Sequence, residues 1–513
     1  MYYPSREEFK AKARLGNLIP VYREVMADTE TAVSAFLKIG GGKYAFLLES
    51  VQGGEKWARY SFLGRNPSLV IQSKGREAQI VRSGSPPEGR MITDPLDLVK
   101  EILSIYRPVK VEGLPRFFGG MVGCLSYDAV RFFEALPDRT ADDLELPDAL
   151  FLLTDTLLVF DNLSQRIQVV SNAFVPDTAS GALDAAYDLA LSKIDVLVAD
   201  LCKPLDHPLT PLLPSRSAEV KSTFTPEEFC HAVRTCKDYV EAGDIIQAVL
   251  SQRLEVKTTA QPFDIYRALR IINPSPYMYF LRLGDLSLAG SSPEVLVRLE
   301  DGQIDLRPIA GTRPRGRDET EDRTLATELL GDPKERAEHI MLVDLGRNDV
   351  GRVATPGSVE VNELMVIERY SHVMHIVSNV RGRLADGRDA FDLLKASFPA
   401  GTVTGAPKIR AMEIIEEQEP VKRGPYAGAI GYVSFSGNMD TCITIRTILF
   451  AKDRAWIQAG AGIVADSDPE REYEETLNKA AAMLRAIEMA EGGLEPSHLG
   501  VRPITAHAGR SRS

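Results

Sequence analysis

No stretch of about 18 consecutive apolar residues occurs in the 513-residue chain, so no segment reads as a membrane-spanning helix. The opening residues, Met1-Tyr2-Tyr3-Pro4-Ser5-Arg6-Glu7-Glu8, lack the apolar core of a secretory signal, and a cytoplasmic protein is expected. Cysteine is sparse: Cys124, Cys202, Cys230, Cys236 and Cys442 are odd in number and lack metal-ligand spacing, which excludes a disulfide framework or a thiolate metal cluster. None lies in a Gly-x-Cys-x-Gly turn, so no thiol nucleophile for amide hydrolysis is visible. Positive charge is also short. With 60 basic against 72 acidic residues the net charge is -12, which argues against nucleic acid or an anionic membrane as partner. Any anionic substrate must therefore meet a local cluster of arginines.

Regions 16–202, 203–222 and 223–490 differ in pattern. The first holds short alternating apolar runs between turn signals, including Tyr44 to Leu48, Ser68 to Gln72 and Leu152 to Asp161, and closes with a helical stretch from Ala182 to Leu201. Pro204, Pro208, Pro211 and Pro214 then crowd a linker unfit for helix or central strand. Thr225-Pro226-Glu227-Glu228 opens a helix by a capping-box pattern, and strands and helices mix beyond it without regular βαβ alternation. The polar tail Ala506 to Ser513 is expected to fray.

Two acidic helix starts stand out, Asp332-Pro333-Lys334-Glu335-Arg336-Ala337-Glu338 and Asp468-Pro469-Glu470-Arg471-Glu472-Tyr473-Glu474-Glu475. Asp then Pro suits an N-cap and first turn, and glutamates three apart share a helical face, so Glu335, Glu338, Glu472 and Glu475 could converge. Four such carboxylates suit Mg2+, which keeps positions open for water and an anionic substrate. Each start also has a structural reading: Glu335 sits where a capping-box glutamate belongs, and Glu475 can pair with Lys479 one turn on.

Gly460-Ala461-Gly462-Ile463-Val464-Ala465 follows a strand candidate from Ala455 to Gln458. The aspartates at 466 and 468 would repel a dinucleotide pyrophosphate, so a glycine turn whose amides bind one carboxylate is the better reading. Gly401-Thr402-Val403-Thr404-Gly405-Ala406-Pro407-Lys408 lacks the Gly-Lys-Ser/Thr of a phosphate loop and reads as a tight turn, with Thr402 as donor, before a helix at Pro407. Arg307, Arg313, Arg315 and Arg317 form a basic run expected to be mostly solvated. His375 alternates with apolar residues as on a half-buried strand, where it is either a core residue or a proton carrier.

Together these segments resemble the chorismate-using enzymes, most closely the large subunits of anthranilate synthases. The resemblance spans nearly the whole chain. It rests on Gly243-Asp244-Ile245-Ile246-Gln247, Ser291-Ser292-Pro293-Glu294, Arg307-Pro308-Ile309-Ala310-Gly311-Thr312, the Glu338 to Asp349 segment, Phe398 to Lys408 and the glycine segment with its acidic helix. It implies an α/β fold of α+β type: a chorismate-binding domain of two packed antiparallel β-sheets with outer helices, joined to an intertwined strand-rich N-terminal region. By matching position it implies Mg2+ held by Glu335, Glu338, Glu472 and Glu475. Substrate would lie against Gly311, Thr312, Thr402, Tyr426, Arg446, Gly460, Gly462 and Lys479, with Glu294 as the acid and His375 carrying the later proton transfers. Ile246, Ala248 and Cys124 depart from the family's larger residues at packing positions.

The implied reaction turns chorismate and ammonia into anthranilate and pyruvate, the first step of tryptophan biosynthesis. Water-using relatives need a lysine base where this chain has Gln247, and aminodeoxychorismate synthases usually carry a nucleophilic lysine where it has Ala310. Aminodeoxychorismate synthase component I and a non-catalytic chorismate- or tryptophan-binding regulatory subunit are the alternatives. A separate glutamine amidotransferase subunit, anthranilate synthase component II, is the implied ammonia source. Leu47-Leu48-Glu49-Ser50 and Asn273-Pro274-Ser275-Pro276-Tyr277-Met278 resemble a tryptophan feedback site in which Ser50, Pro276, Tyr277 and Met278 hold the effector.

Overall fold

A computed structural model describes residues 1–50, 59–176, 179–205, 219–370 and 373–492. Most of the expected linker, 206–218, and the tail from Ala506 to Ser513 lie outside the described residues. Among those described, strands assemble into a thirteen-stranded and a twelve-stranded sheet. Each sheet joins a block of strands from before the linker to a block from after it, and the two blocks meet at one strand pair. In the first sheet Tyr44–Glu49 pairs antiparallel with Tyr277–Leu283, setting Met278 opposite Glu49. In the second, Gly120–Leu125 pairs antiparallel with Ala429–Ser434.

The sheets pack face to face because both present an apolar side. Phe62, Leu157 and Val170 from the first share one core with Val122, Leu152 and Ile430 from the second. Helices Ser180–Leu201, Pro262–Ile272 and Pro469–Glu491 bury their apolar stripes on the outer face of the first sheet. Pro95–Ser104, Pro333–Gly351 and Ala390–Ser397 cover the second. Phe36 meets Phe263 with ring centroids 4.6 Å apart, tying the two halves of the chain by a contact worth about 0.5–1.5 kcal/mol beyond its area. The expected two-sheet architecture with outer helices is thus observed.

Local signals mark several elements correctly. Thr225 caps Pro226–Glu241 through a reciprocal box with Glu228, and the helix expected from Ala182 runs Ser180–Leu201. The run from Leu152 to Asp161 is different: it breaks at Asp155 into Ala149–Thr154, paired in the second sheet, and Thr156–Asp161, paired in the first. Both strands are continuously apolar because they are buried on both faces, and only the polar Thr154-Asp155-Thr156 between them marks the change of sheet.

Candidate active site

The two acidic helix starts form as their caps dictate. The Asp332 carboxylate accepts from the amides of Lys334 and Glu335, and that of Asp468 accepts from the amide of Arg471. Glu335 does not close a capping box. It turns to Arg313 on strand Ile309–Pro314, 2.9 Å away. Glu475 pairs with Lys479 at 2.7 Å. Glu338 and Glu472 have no ion-pair partner among the described residues; each is held above the ordinary carboxyl pKa first by burial and then by its neighbouring glutamate. Lys334 and Lys479 both act on Glu338 and on Glu472, so the two helix starts face one another.

No three of these side chains approach closely enough to form a ready metal shell among the described residues. The donor set nevertheless fits a hard divalent cation: Glu338 and Glu472 carry ionisation penalties that a cation would relieve, while Glu335 and Glu475 are occupied by exchangeable cationic side chains.

Lys479 joins these carboxylates to the rest of the site. Its Nζ donates to the Gly460 carbonyl at 2.8 Å, and its charge also reaches Glu294. Gly460 and Gly462 do not lie in a turn, as the sequence suggested, but inside strand Arg454–Ile463, opposite Ser251 and Val249. What glycine supplies here is room. A Cβ on Gly460 would stand 2.7 Å from the Tyr426 hydroxyl, and one on Gly462 would collide with the Gln247 amide. Gln247 in turn lies near enough to Glu338 to oppose the upward shift of its pKa, linking strand to helix.

Arg446 is held at φ 51°, a left-handed conformation that a side chain tolerates only under strong constraint. Its half-buried guanidinium has no carboxylate within ion-pair distance among the described residues, and its one hydrogen bond, to the Lys479 carbonyl, is 3.5 Å long. Removal from water lowers its pKa, so an anion arriving there would be welcomed.

Glu294 sits between strands Leu286–Ser292 and Val295–Glu300, where its carbonyl accepts from the amide of Ile443 at 3.1 Å. It is 8 % exposed, and burial pushes its carboxyl up to about 8; the Thr402 hydroxyl and the Ile309 amide oppose that shift. The Thr402 contact falls short of a full hydrogen bond, leaving its Oγ1 orphaned, as is Gln247 Oε1. Thr402 stands in the 3-10 turn Gly401–Val403, and the following helix, Lys408–Gln418, has Pro407 at its N-cap. His375, on strand Val373–Arg383, places Nδ1 2.9 Å from the Gly311 carbonyl and 3.1 Å from the Thr312 hydroxyl. A carbonyl only accepts, so Nδ1 carries the proton and Nε2 is left as acceptor. Burial lowers the pKa of this ring, which favours the neutral form.

The basic run is not mostly solvated. Arg307 pairs with Glu368, Arg313 bridges Asp332 and Glu335, and Arg315 meets Asp322 at 2.7 Å; only the Arg317 side chain, 91% exposed, behaves as expected. Arg313 and Lys334 are site residues that the sequence reading missed. Lys334 adjoins Glu335 in sequence, a usable signal, whereas the partners of Arg313 lie on another element.

The expected effector residues gather elsewhere. Ser50, Pro276, Tyr277 and Met278 line one cavity of about 550 Å3, counted to its open mouth. Asp440 lies in its wall, accepting from Arg298 at 2.7 Å, Arg116 at 3.0 Å and the Tyr277 hydroxyl at 2.8 Å. Tyr277 is paired across the sheet with Ser292, two residues from Glu294.

Residues 44–485 match the family described as chorismate binding enzyme. Anthranilate synthase component 1 of Acetivibrio thermocellus is 50% identical over 495 residues, covering 96% of this chain and 99% of the relative. That of Pseudomonas aeruginosa is 48% identical, covering 96% and 100%. The crystal structure of anthranilate synthase component I from Streptococcus pneumoniae superposes with a TM-score of 0.74 at 40% identity, covering 85% of this chain and 95% of that one. The menaquinone-specific isochorismate synthase of Escherichia coli shares the fold at 19% identity, with a TM-score of 0.67 over 94% of this chain and 98% of its own.

Proposed function

Because this chain belongs to the chorismate binding enzyme family, we propose that it converts chorismate and ammonia to anthranilate and pyruvate as the large subunit of an anthranilate synthase. The observation that carries the reading is the pairing of opposites in one site: a carboxyl kept protonated near neutrality, Glu294, and an arginine without a carboxylate partner, Arg446. A dianionic substrate whose hydroxyl must depart needs both.

In this reading Arg446 and Lys479 bind the substrate carboxylates beside Gly460, Gly462 and Tyr426. Glu294 gives its proton to the departing hydroxyl, which leaves as water while ammonia bonds to the ring carbon beside the carboxylate. Neutral His375, oriented by Gly311 and Thr312, then takes the proton from the aminated ring carbon through Nε2 as the enolpyruvyl C–O bond to the ring breaks, and returns it to the methylene carbon of the departing group, which leaves as pyruvate while the ring becomes aromatic. Glu335, Glu338, Glu472 and Glu475 would hold Mg2+, whose chemistry here is to neutralise the ring carboxylate as a Lewis acid. Gln247 and Ala310, where water-using and aminodeoxychorismate-forming relatives need lysine, support ammonia as nucleophile and no covalent ring intermediate.

Ammonia would come from a separate glutamine amidotransferase subunit, and tryptophan would occupy the cavity of Ser50 and Pro276 to Met278 as feedback inhibitor. No described helix is long and apolar enough to cross a membrane, and a cytoplasmic location accords with this metabolism. The test is a product assay of the purified chain with chorismate, Mg2+ and ammonium, following anthranilate fluorescence and pyruvate together. Both should appear in equal amounts; an aminated product without pyruvate would overturn the reading.

A further inference from the structure

The left-handed φ of 51° at Arg446 has to be held by its surroundings, and the hold is visible at the two residues beside it, Ile445 and Thr447. The Thr447 hydroxyl donates to the Ile445 carbonyl at 2.9 Å, bridging the kink. A hydroxyl has one proton to give, so the second partner of Thr447 Oγ1, the Tyr279 hydroxyl at 2.5 Å, is a donor to it. The hydrogen bonds therefore run in one direction, from Tyr279 to Thr447 to Ile445.

Tyr279 reaches Thr447 because a glycine lies between them. Tyr279, Gly290 and Thr447 stand opposite one another on three adjacent strands, Tyr277–Leu283, Leu286–Ser292 and Thr447–Ala451. Neighbouring strands are about 4.8 Å apart, so the tyrosine has to cross the middle one. A Cβ on Gly290 would stand 2.1 Å from its ring. A second tie follows at the next residue, where the Ser291 amide donates to the Arg446 carbonyl at 3.1 Å. The buried Ser291 hydroxyl donates to the Asn273 carbonyl and accepts from the Asn273 side-chain amide at 2.9 Å. Both ties lead to one place. Tyr279 lines the cavity of Ser50, Pro276, Tyr277 and Met278, and Asn273 begins the proline segment that enters its wall.

We infer that Tyr279 and Thr447 are positioning residues for Arg446, holding its backbone so that the guanidinium faces an incoming carboxylate, and that a guest in the Tyr277 cavity acts on substrate binding by displacing Tyr279. The inference rests on the reading of Arg446 as substrate anchor and of this cavity as the effector site. Neither hydroxyl touches the reacting atoms in that reading, so both act through Arg446.

Thr447→Val removes both hydrogen bonds across the kink and should raise the KM for chorismate, and its Kd measured without ammonium, by about tenfold with kcat within about twofold, the mark of lost uniform binding. Tyr279→Phe keeps the ring and the bond to Ile445 and should raise both by about threefold, whereas Thr447→Ser, which keeps the hydroxyl, should stay within about twofold of the parent. The alkaline limb set by Glu294 should not move in any of them. With tryptophan as the probe, the factor by which chorismate weakens tryptophan binding should shrink at least about threefold in Tyr279→Phe and Thr447→Val and be restored in Thr447→Ser. Chorismate binding unchanged in both variants, with only the unfolding midpoint lowered, overturns the inference. So does a Thr447→Ser protein as impaired as Thr447→Val, since packing and not the hydroxyl would then matter. A weakened chorismate Kd with the tryptophan factor intact overturns the link to the cavity. A parent that binds no tryptophan overturns the effector reading and that link with it, and one that forms no anthranilate overturns the functional reading; in both cases the chorismate Kd still decides whether Tyr279 and Thr447 position Arg446.

Discussion

The candidate active site and the cavity around Asp440 are built from neighbouring strands of the same two sheets, yet they treat charge in opposite ways. Around Asp440 every charge is answered within the protein: Arg298, Arg116 and the Tyr277 hydroxyl converge on one carboxylate, and Phe117 stacks on Tyr432 with centroids 4.2 Å apart. In the active site Glu338, Glu472 and Arg446 lack ion-pair partners among the described residues, Arg446 sits at a left-handed φ, and buried polar atoms stay orphaned. A region complete in itself can respond to a guest only by shifting its packing. One left incomplete depends on its guest for its electrostatic balance, and there strain and shifted pKa values accumulate.

The contrast is broken most severely by Glu294→Gln. Glutamine keeps the shape but cannot give up a proton, so ammonia-dependent kcat should fall by about 10²–10⁴-fold while the circular dichroism spectrum stays that of the parent. Asp440→Asn attacks the other region. It removes the carboxylate shared by buried Arg298 and half-buried Arg116, which keeps only Glu300 at 3.4 Å, and should cost about 3–5 kcal/mol in urea unfolding, with activity lost only as far as the fold loosens. If instead kcat fell without a change in stability, the division between an incomplete and a self-sufficient region would be wrong.

Glu335→Gln or Glu475→Gln should raise the Mg2+ concentration needed for half-maximal activity by about tenfold and leave the unfolding midpoint in place. Each removed carboxylate is already answered by Arg313 or Lys479, so the fold does not depend on the metal. Ser50→Phe fills the second cavity and should abolish tryptophan inhibition with turnover within about twofold of the parent. Retained inhibition would place the effector elsewhere.

Features carried by neighbouring residues were the ones legible in the sequence. Asp332-Pro333 and Asp468-Pro469 announce their helices because cap and first turn are contiguous, and the glutamate spacing follows from helical geometry. The two-sheet architecture and the candidate site came from the resemblance of long segments, since periodicity alone could not tell one sheet from the other at Asp155. Gly460 and Gly462 looked like a turn because glycine usually marks one. Here they clear space for Tyr426 and Gln247, which come from distant parts of the chain. The basic run failed likewise: Arg307 pairs with a glutamate 61 positions away, and Arg313 finds its carboxylates at the start of helix Pro333–Gly351, beyond the intervening helix Glu319–Gly331.

The finest test concerns a single hydroxyl. Thr402 opposes the upward shift of the Glu294 pKa, so Thr402→Val should move that pKa higher than the value of about 8 in the parent. The acid must be protonated to act, and activity therefore falls as pH rises through its pKa. Removing the hydroxyl should carry this alkaline limb of kcat/KM to higher pH. Deprotonation of ammonium contributes equally to both proteins and cancels in the comparison. Stability follows the same sign. A folded-state carboxyl pKa above its ordinary value means that, between the two, the unfolded chain releases a proton that the folded protein keeps, so stability declines as pH rises across that interval. Thr402→Val should extend the decline further into the alkaline range. An alkaline limb that stays in place while overall activity drops would show that Thr402 positions substrate and does not tune the acid, and Arg446 would then stand as the stronger sign of an incomplete site.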